Sequence, residues 1–398
     1  MLLMCNTSVD PRRYIPRPKL VSRIRAGLAN SPVTALLGPR QCGKSWLARP
    51  FAEQRDHFFD LHDFVDRVRL SDSQYRVLDD LEGTIVIDEI QLMPELFPKL
   101  RVLADRPDSN ARFLITGSAS PNIVRGVSES LAGRIRHIPM GGFCLEEDDA
   151  SRWRRLWMQG GFPRSYLQEI VEESMQWRHD YVQTFLSRDL PLLAETKLSP
   201  DQLRRLLLLL AHYHGQAWNH SNAATMIGVS YKTIQRHVEI FLGAYILREL
   251  PPYVANVGKR LRKAPRLYLR DSGLLHALLM LPEESHLQAH PCYGASWEGF
   301  CIEQIMRMSE SRDEECFCFS VSGGEECDLV LAKPSGLYGF EFKASDAPRR
   351  TKSMIMAAED LKLTKLFVVY PGHRDYALGD NIEVVGIENL ARIMPLLK

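Results

Sequence analysis

One short segment restricts the fold of this chain more than any other. Residues 38–45 read GPRQCGKS, which fits the pattern GxxxxGK[ST] at every fixed position. An apolar run, VTALL, precedes the segment, and a stretch with helical spacing, WLARPFAEQ, follows it. This order of strand, glycine-rich loop and helix predicts a phosphate-binding loop, and with it a parallel α/β sheet.

The loop residues suit a nucleotide that carries a divalent cation. Glycines let backbone N–H groups curl around phosphate oxygens, and the start of a helix adds a partial positive charge. Lys44 is predicted to neutralise the β- and γ-phosphates, and Ser45 to ligate Mg²⁺. ATP and Mg²⁺ are therefore the predicted cofactors; the alternative is a glycine-rich turn that arose by chance. The predicted nucleotide contacts are Gly38, Pro39, Arg40, Gln41, Cys42, Gly43, Lys44, Ser45 and Trp46.

A second motif follows downstream. Residues 85–89 read IVIDE, an apolar strand that ends in two carboxylates. Asp88 is predicted to hold Mg²⁺ and Glu89 to polarise the attacking water. Without Glu89, ATP binding should survive and hydrolysis should not. The alternative is a pair of acids that only cap a helix beginning near Gln91.

Two further features are candidates for catalysis. A strand predicted at residues 112–116 leads into Thr116 and Ser118, and Ser118 is the candidate for sensing the γ-phosphate; the alternative is a helix cap. Arg134 and Arg136 follow, and either could stabilise transition-state charge, within the chain or across the interface of a homo-oligomer. A solvated basic face is the alternative for both arginines.

The length of 398 residues favours two or three domains. A helix is expected at 95–104, between strands, and long amphipathic helices at 151–158, 165–189 and 200–214. The predicted limits are an ATPase domain at 1–145, a helical connector at 146–200, a winged-helix-like region at 201–255 and a C-terminal domain at 256–398. Strands of the C-terminal domain are expected at 316–321, 327–332, 338–342 and 365–370.

Residues 222–241 have the spacing of a helix-turn-helix. Its second helix is predicted to expose Lys232, Gln235 and Arg236, with His237 as a further candidate, which suits a DNA groove. The alternative is a packing spacer. Downstream, residues 259–266 read KRLRKAPR, either a phosphate track or a solvated loop.

The C-terminal third contains a second group of acids. Asp328 lies on one predicted strand, and Glu341 and Lys343 lie on the next, where residues i and i+2 share a face. Glu298, on a helix predicted at 297–308, supplies a further acid. Together they could bind a metal ion for hydrolysis, or form only a salt-bridged hairpin. The arrangement resembles the PD-(D/E)xK nuclease core, although Cys327 stands where that pattern has proline.

Several blocks resemble one family. LLGPRQCGKSWLAR, IVIDEIQLMPELFPKLR, FLITGSAS and ESLAGRI are similar to the bacterial and archaeal AAA-type ATPases with a C-terminal DUF4143 domain, and later blocks such as RKAPRLYLRDSGLLHALL extend the resemblance. It implies an α/β fold: a P-loop NTPase sheet, then a helical and winged-helix region, then an α/β domain like that of restriction endonucleases.

Charge and hydropathy limit the classes of partner that the chain is expected to bind. The formal net charge of +1 provides no global field toward nucleic acid or membranes. No apolar run is long enough to span a membrane, and the first residues do not read as a signal peptide, which predicts a cytoplasmic protein. The leading hypothesis is ATP hydrolysis coupled to DNA binding or processing. The alternative is a nucleotide-dependent switch that acts on a protein partner and carries an inactive nuclease-like domain.

Overall fold

The computed structural model of the chain describes residues 14–71, 76–107, 110–118, 130–193, 198–254, 264–321 and 324–398. Within these ranges the chain forms a parallel sheet near its beginning, a helical region, and a mixed sheet near its end. No helix of the described residues is long and apolar enough to cross a membrane.

The first sheet is parallel throughout, in the order β2-β3-β4-β1-β5. The strands predicted at 33–37 and 84–88 are confirmed, and the one predicted at 112–116 extends by one residue. Because parallel strands end at the same edge, the glycine loop, the two acids and Ser118 all leave the sheet on one side. The elements are β1 (Val33–Leu37), β2 (Phe58–Asp60), β3 (Thr84–Asp88), β4 (Arg112–Gly117) and β5 (Ile135–Pro139), with helices α1 (Pro18–Asn30), α2 (Lys44–Ala48), α3 (Phe64–Ser71) and α4 (Leu96–Ala104).

Both faces of this sheet are covered, which explains the uninterrupted apolar runs of its central strands. On β3, Val86 packs into a cluster with α1 and the helical region, whereas Ile85 and Ile87 pack into a cluster with α4 on the other face. The sheet is therefore fixed between two apolar layers, and its carboxyl edge is held at a defined position.

The helical region differs from prediction at one point. The helix predicted at 165–189 is broken at residues 167–170, where the chain turns. The turn lets the buried Ser165 hydroxyl donate to the Gln159 carbonyl at 2.6 Å and meet the Ser174 hydroxyl at 2.8 Å. The elements are α5 (Trp153–Gln159), α6 (Pro163–Tyr166), α7 (Val171–Thr184), a π-helical turn (Phe185–Asp189), α8 (Leu190–Leu193) and α9 (Pro200–His212).

The predicted helix-turn-helix is present as α10 (His220–Ile227) and α11 (Tyr231–Gly243). Gly228 ends the first helix at φ 80°, a left-handed conformation that favours glycine, and the Ser230 hydroxyl caps the second by accepting from Thr233 N–H. An antiparallel hairpin of β6 (Leu247–Leu250) and β7 (Arg266–Leu269) follows. Then come α12 (Ser272–Leu278), which packs on α5 and α7, and α13 (Glu284–Gln288).

The second sheet has the order β12-β13-β11-β10-β9-β8. Strand β10 is antiparallel to β9 and parallel to β11, and α15 crosses over between β10 and β11. The β9–β10 ladder pairs Leu329 with Phe340, so Asp328 and Glu341 lie one step further along neighbouring strands. The elements are α14 (Tyr293–Met308), β8 (Cys316–Ser320), β9 (Glu326–Lys333), β10 (Gly336–Phe342), α15 (Lys352–Asp360), β11 (Lys365–Tyr370), β12 (Tyr376–Ala377), β13 (Ile382–Gly386) and α16 (Leu390–Ile393).

Candidate functional site

The glycine loop is bent sharply against the end of β5. Gln41 and Gly43 have left-handed φ values of 61° and 99°. A side chain at Gly38 would place its Cβ only 1.9 Å from the Met140 carbonyl oxygen, so only glycine fits there. The turn brings the chain back on itself and starts α2 at Lys44, with the loop wrapped in front of the helix.

Lys44 is buried within this loop. Its ammonium group donates to the carbonyl oxygens of Gly38 at 3.1 Å and Pro39 at 2.8 Å. Both partners are neutral, and a charged phosphate oxygen would be a stronger acceptor. The lysine is thus positioned to exchange loop carbonyls for an anion, as the motif predicts.

Asp88 and Thr116 form the centre of the site. The Thr116 hydroxyl donates to the Asp88 carboxylate, and Glu89 N–H donates to the same hydroxyl at 3.2 Å. Burial raises the pKa of Asp88, while hydrogen bonds from Ser45 and Thr116 oppose that rise. Ser45 and Asp88 are therefore neighbours, which the proposed Mg²⁺ pair requires. The sequence prediction named Ser118 as the sensor of the γ-phosphate and did not predict the contact of Thr116 with Asp88.

Glu89 lies just beyond β3 in a strained backbone conformation, with φ of 60°. The side chain is largely buried and accepts a hydrogen bond from the Gln91 amide. A left-handed non-glycine residue persists only where its surroundings impose it, and such residues cluster at functional sites. The second acid of the motif is thus held in a fixed orientation beside the loop.

Ser118 is buried at the end of β4, and its hydroxyl has no hydrogen-bond partner within the described residues. Gly38 N–H donates to the Gly117 carbonyl at 3.3 Å, so this segment adjoins the glycine loop. An unsatisfied buried hydroxyl costs about 1–3 kcal/mol. The free hydroxyl and the narrow turn at Gly38 are what a phosphate site would need, and the residues present fit a nucleotide with its Mg²⁺.

Arg134 is at the opposite edge of the sheet. Its carbonyl accepts from Val33 N–H at the start of β1, whereas the glycine loop begins after Leu37, roughly 13 Å away at 3.3 Å per residue. The exposed guanidinium pairs with Asp105 at 2.5 and 2.9 Å. Arg136 is exposed on the adjacent β5. Action of Arg134 on the nucleotide of its own chain is therefore not compatible with the fold, and action across a subunit interface stays a prediction.

The loop is tied to the helical region by a contact that the sequence did not predict. The Arg40 guanidinium donates to the Asp189 carboxylate, which is buried on the π-helical turn. Burial raises the pKa of Asp189, and Arg40 opposes that rise. The Tyr181 hydroxyl also lies 3.5 Å from the Arg40 carbonyl. No local sequence signal predicted this pair, because Asp189 lies in a mixed polar and apolar stretch, FLSRDLP.

Trp46 lies at the outer side of the loop. Its ring is 58% exposed and lies 6.0 Å, centroid to centroid, from the ring of Tyr14, which is 57% exposed. The predicted contact residue thus presents an open aromatic surface next to Ser45.

The acids of the C-terminal domain converge as predicted. The backbone N–H of Phe342 donates to Asp328 at 3.1 Å, and Lys343 donates to Glu341 at 2.8 Å. Burial, followed by the charge of Asp328, raises the pKa of both Glu298 and Glu341 to about 8. Both glutamates are therefore harder to deprotonate than an exposed glutamate, as expected for carboxylates that are buried close together.

Arg266 enters the same cluster from β7. Its guanidinium donates to Glu298 at 3.2 Å, Asp328 at 3.4 Å and Glu326 at 3.0 Å, and Tyr268 donates to Glu298 at 2.5 Å. In the part of the chain that the structure describes, no group of three or more His, Cys, Asp or Glu side chains is arranged to hold a metal ion. The residues predicted as metal ligands here do not fit one, and we derive no hydrolytic step from them.

The predicted nucleic-acid contacts have mixed outcomes. Lys232, Gln235 and Arg236 are exposed on α11, but His237 is fully buried and its ring nitrogen meets the Thr233 carbonyl at 2.7 Å. Predicting His237 as exposed was wrong, because it lies on the buried stripe next to Val238. Arg266 is not part of a solvated basic loop, and the cations at 259–263 lie outside the described residues.

Comparisons with known proteins cover nearly the whole chain. The family described as AAA domain matches residues 30–148, a domain of unknown function, DUF8612, matches residues 150–285, and a second, DUF4143, matches residues 293–390. The uncharacterized protein Rv2008c of Mycobacterium tuberculosis is 39% identical over 377 residues, which are 94% of this chain and 85% of the relative. The uncharacterized protein Mb2031c of Mycobacterium bovis gives the same values.

Similarity to solved structures is weaker. The Walker-type ATPase PABY2304 of Pyrococcus abyssi is 15% identical, with a TM-score of 0.45, and the match covers 68% of this chain and 97% of that one. The ORC2 protein of Aeropyrum pernix, in its ADP form, is 12% identical, with a TM-score of 0.30 and coverage of 68% and 92%. Likeness of this degree carries no argument about function.

Proposed function

This chain belongs to the protein family of Rv2008c and Mb2031c, and we propose that its AAA domain binds and hydrolyses MgATP at residues 38–45. The observation that carries the proposal is that Lys44, Ser45, Asp88 and Ser118 lie at one edge of the sheet, with a Ser118 hydroxyl that has no partner among the described residues. Each group has the chemistry that a triphosphate and its cation require.

The roles follow from the contacts. Lys44 would exchange its carbonyl partners for phosphate oxygens, and Ser45 and Asp88 would hold Mg²⁺, which would neutralise phosphate charge. Glu89, held by Gln91, orients and polarises the attacking water. The Ser118 hydroxyl would donate to a γ-phosphate oxygen, which would satisfy a group that has no partner within the described part of the chain.

We propose that the Arg40–Asp189 pair transmits the state of this site to the helical region. Arg40 is part of the loop that surrounds the phosphates, whereas Asp189 belongs to a π-helical turn, a feature that often marks functional positions. Phosphate oxygens compete with the Asp189 carboxylate for the same guanidinium. Binding of ATP would therefore loosen the end of α7.

Asp189→Asn is expected to abolish the effect of ATP on hydrogen exchange of residues 171–193, because the charge competition disappears. In the wild type, we expect ATP to change exchange there by about 5-fold or more. Asp189→Glu should retain the effect, and so should Asp180→Asn on the exposed side of α7. An equal ATP effect in Asp189→Asn and wild type would refute the transmission.

We further propose that hydrolysis is coupled to DNA through α11. Lys232, Gln235 and Arg236 lie on its exposed side, and the hairpin of β6 and β7 follows as a wing does in winged-helix proteins. Lysine and arginine suit phosphates, and glutamine suits a base edge. The helix also has the exposed Glu239, which accepts from Gln235 at 3.0 Å and limits the basic surface.

The test is phosphate release from ATP, with and without duplex DNA, together with duplex binding. Lys232→Ala/Arg236→Ala should weaken duplex binding about 10-fold and lower the slope of log affinity against log salt by about 2. The stimulation of ATP turnover by DNA should fall together with the affinity for duplex DNA. Lys362→Ala/Arg374→Ala, at exposed positions of the C-terminal domain, is the matched control. Turnover indifferent to DNA in the wild type would contradict the coupling.

A second candidate is a nucleotide-dependent switch that acts on a protein partner. It is favoured by the exposed Met226 and Tyr231, 50% and 48% accessible, which flank the turn between α10 and α11. Arg205 lies beside Met226 and donates to its carbonyl oxygen. Exposed apolar side chains next to an arginine are typical of protein interfaces. This candidate would replace the DNA proposal if the chain binds a defined protein only with ATP and only with Tyr231 intact, and if the chain has no affinity for DNA.

A further inference from the structure

Arg266 has an unusual position for the last residue of a sequence run that is rich in basic residues. Its side chain is 14% exposed, and it reaches three carboxylates that come from α14 and β9. Lys343 forms an ion pair with Glu341, whereas Glu298 and Asp328 form their direct ion pairs with Arg266, and the charge of Lys343 adds to that of Arg266 at Asp328. The buried Asp328 and the partly buried Glu298 share one guanidinium, and such an arrangement is destabilised if the cation is removed.

Most of the carboxylate oxygens of this cluster that face Arg266 are already in use, whereas Glu341 Oε1 is buried with no hydrogen-bond partner among the described residues. One Glu298 oxygen receives hydrogen bonds from Arg266 and Tyr268, and the two Asp328 oxygens receive them from Arg266 and from the Phe342 backbone. A divalent ion would need the same oxygens at about 2.1 Å. The guanidinium and a metal ion therefore exclude one another.

The backbone holds Arg266 where it is. As the first residue of β7 it pairs with Leu250, and it forms a further bridge with Ala217. The neighbouring residues are fixed as well, because Gly215 N–H donates to the Leu267 carbonyl and Trp218 N–H donates to the Pro265 carbonyl, both at 2.9 Å. The arginine is supplied by an ordered strand rather than by a side chain that merely folds in from solvent.

We infer that Arg266 is a built-in counter-cation that takes the place of a metal ion in the C-terminal domain. The domain then binds no catalytic metal and cleaves no nucleic acid, and the ion pairs fasten the β6–β7 hairpin to the second sheet. The same junction is reinforced beside it: Cys318 N–H donates to the Pro251 carbonyl at 2.9 Å, and Tyr253 N–H donates to the Cys318 carbonyl at 2.7 Å.

The test uses the full chain without nucleotide and Mn²⁺ as the probe. The wild type should show no Mn²⁺-dependent rise in Tm and no cleavage of DNA with Mn²⁺ or Mg²⁺. Arg266→Ala should melt about 5–10 °C lower, and Mn²⁺ should restore part of that loss. The restoration should disappear in Arg266→Ala/Asp328→Asn. Arg392→Ala, which removes an exposed arginine from Asp375 and Glu383, is the matched control and should not respond to Mn²⁺.

Three results would overturn the inference. They are Mn²⁺ binding by the wild type that Asp328→Asn removes, DNA cleavage by the wild type that Asp328→Asn removes, and a folded Arg266→Ala that Mn²⁺ does not stabilise. If Arg266→Ala does not fold, the double variant Arg266→Ala/Asp328→Asn tests the inference instead. This variant should fold, because one acid is removed together with the cation that balanced it. Failure of the double variant, with Arg266→Lys folded, would show that charge balance is not the role of this arginine.

Discussion

Glu89→Gln is expected to lower ATP turnover by at least about 100-fold, the usual contribution of a positioned general base, while ATP still binds. The amide keeps the size of the side chain and can still accept the hydrogen bond from Gln91, but it cannot take a proton from water. Phosphate release measures turnover, and calorimetric titration with ATP and Mg²⁺ measures binding.

The control for this prediction is Glu95→Gln, which changes an exposed acid on the same segment and should leave turnover unchanged. Loss of both binding and turnover in Glu89→Gln would mean that the residue supports the fold of the loop. Turnover within about 3-fold of wild type, well below the effect of a lost base, would assign the base to another residue.

Lys44→Met is expected to weaken MgATP binding by about 30- to 5000-fold, the range that follows from losing about 2–5 kcal/mol of a buried charged contact. Methionine fills the buried space, so the loop should keep its shape while losing its charge. Binding of ATP and of inorganic tripolyphosphate should fall together, since both depend on the same ammonium group.

Lys19→Met is the matched control, because Lys19 is a half-exposed lysine that pairs with Glu146 and lies outside the loop. It should bind both ligands as the wild type does. ATP affinity that Lys44→Met leaves intact would remove the loop from the account of nucleotide binding.

Much of the nucleotide site was predictable because its residues are local in sequence. A strand, a glycine loop and a helix have fixed spacing, and the acids of β3 end a buried run, so the motif predicts where each lies. The hydrogen-bond partner of Asp88 was harder to predict. Thr116 and Ser118 are both small and polar, and only the parallel register of β3 and β4 decides that Thr116 faces the acid.

Contacts between distant segments could not be predicted in this way. The pair of Arg40 and Asp189 joins residues 149 positions apart, and that of Arg266 and Asp328 joins residues 62 apart. Alternation along β10 did predict that Glu341 and Lys343 share a face, because strand periodicity is local. The position of Arg266 depends on how the β6–β7 hairpin docks on α14 and β9, and no local pattern contains that information.

The most direct test of the central claim is phosphate release at saturating ATP and Mg²⁺, measured on wild type, Lys44→Met and Glu89→Gln in the same assay. The account predicts turnover by the wild type and its loss in both variants. A wild type that releases no phosphate with or without DNA, or turnover that survives Lys44→Met, would contradict it.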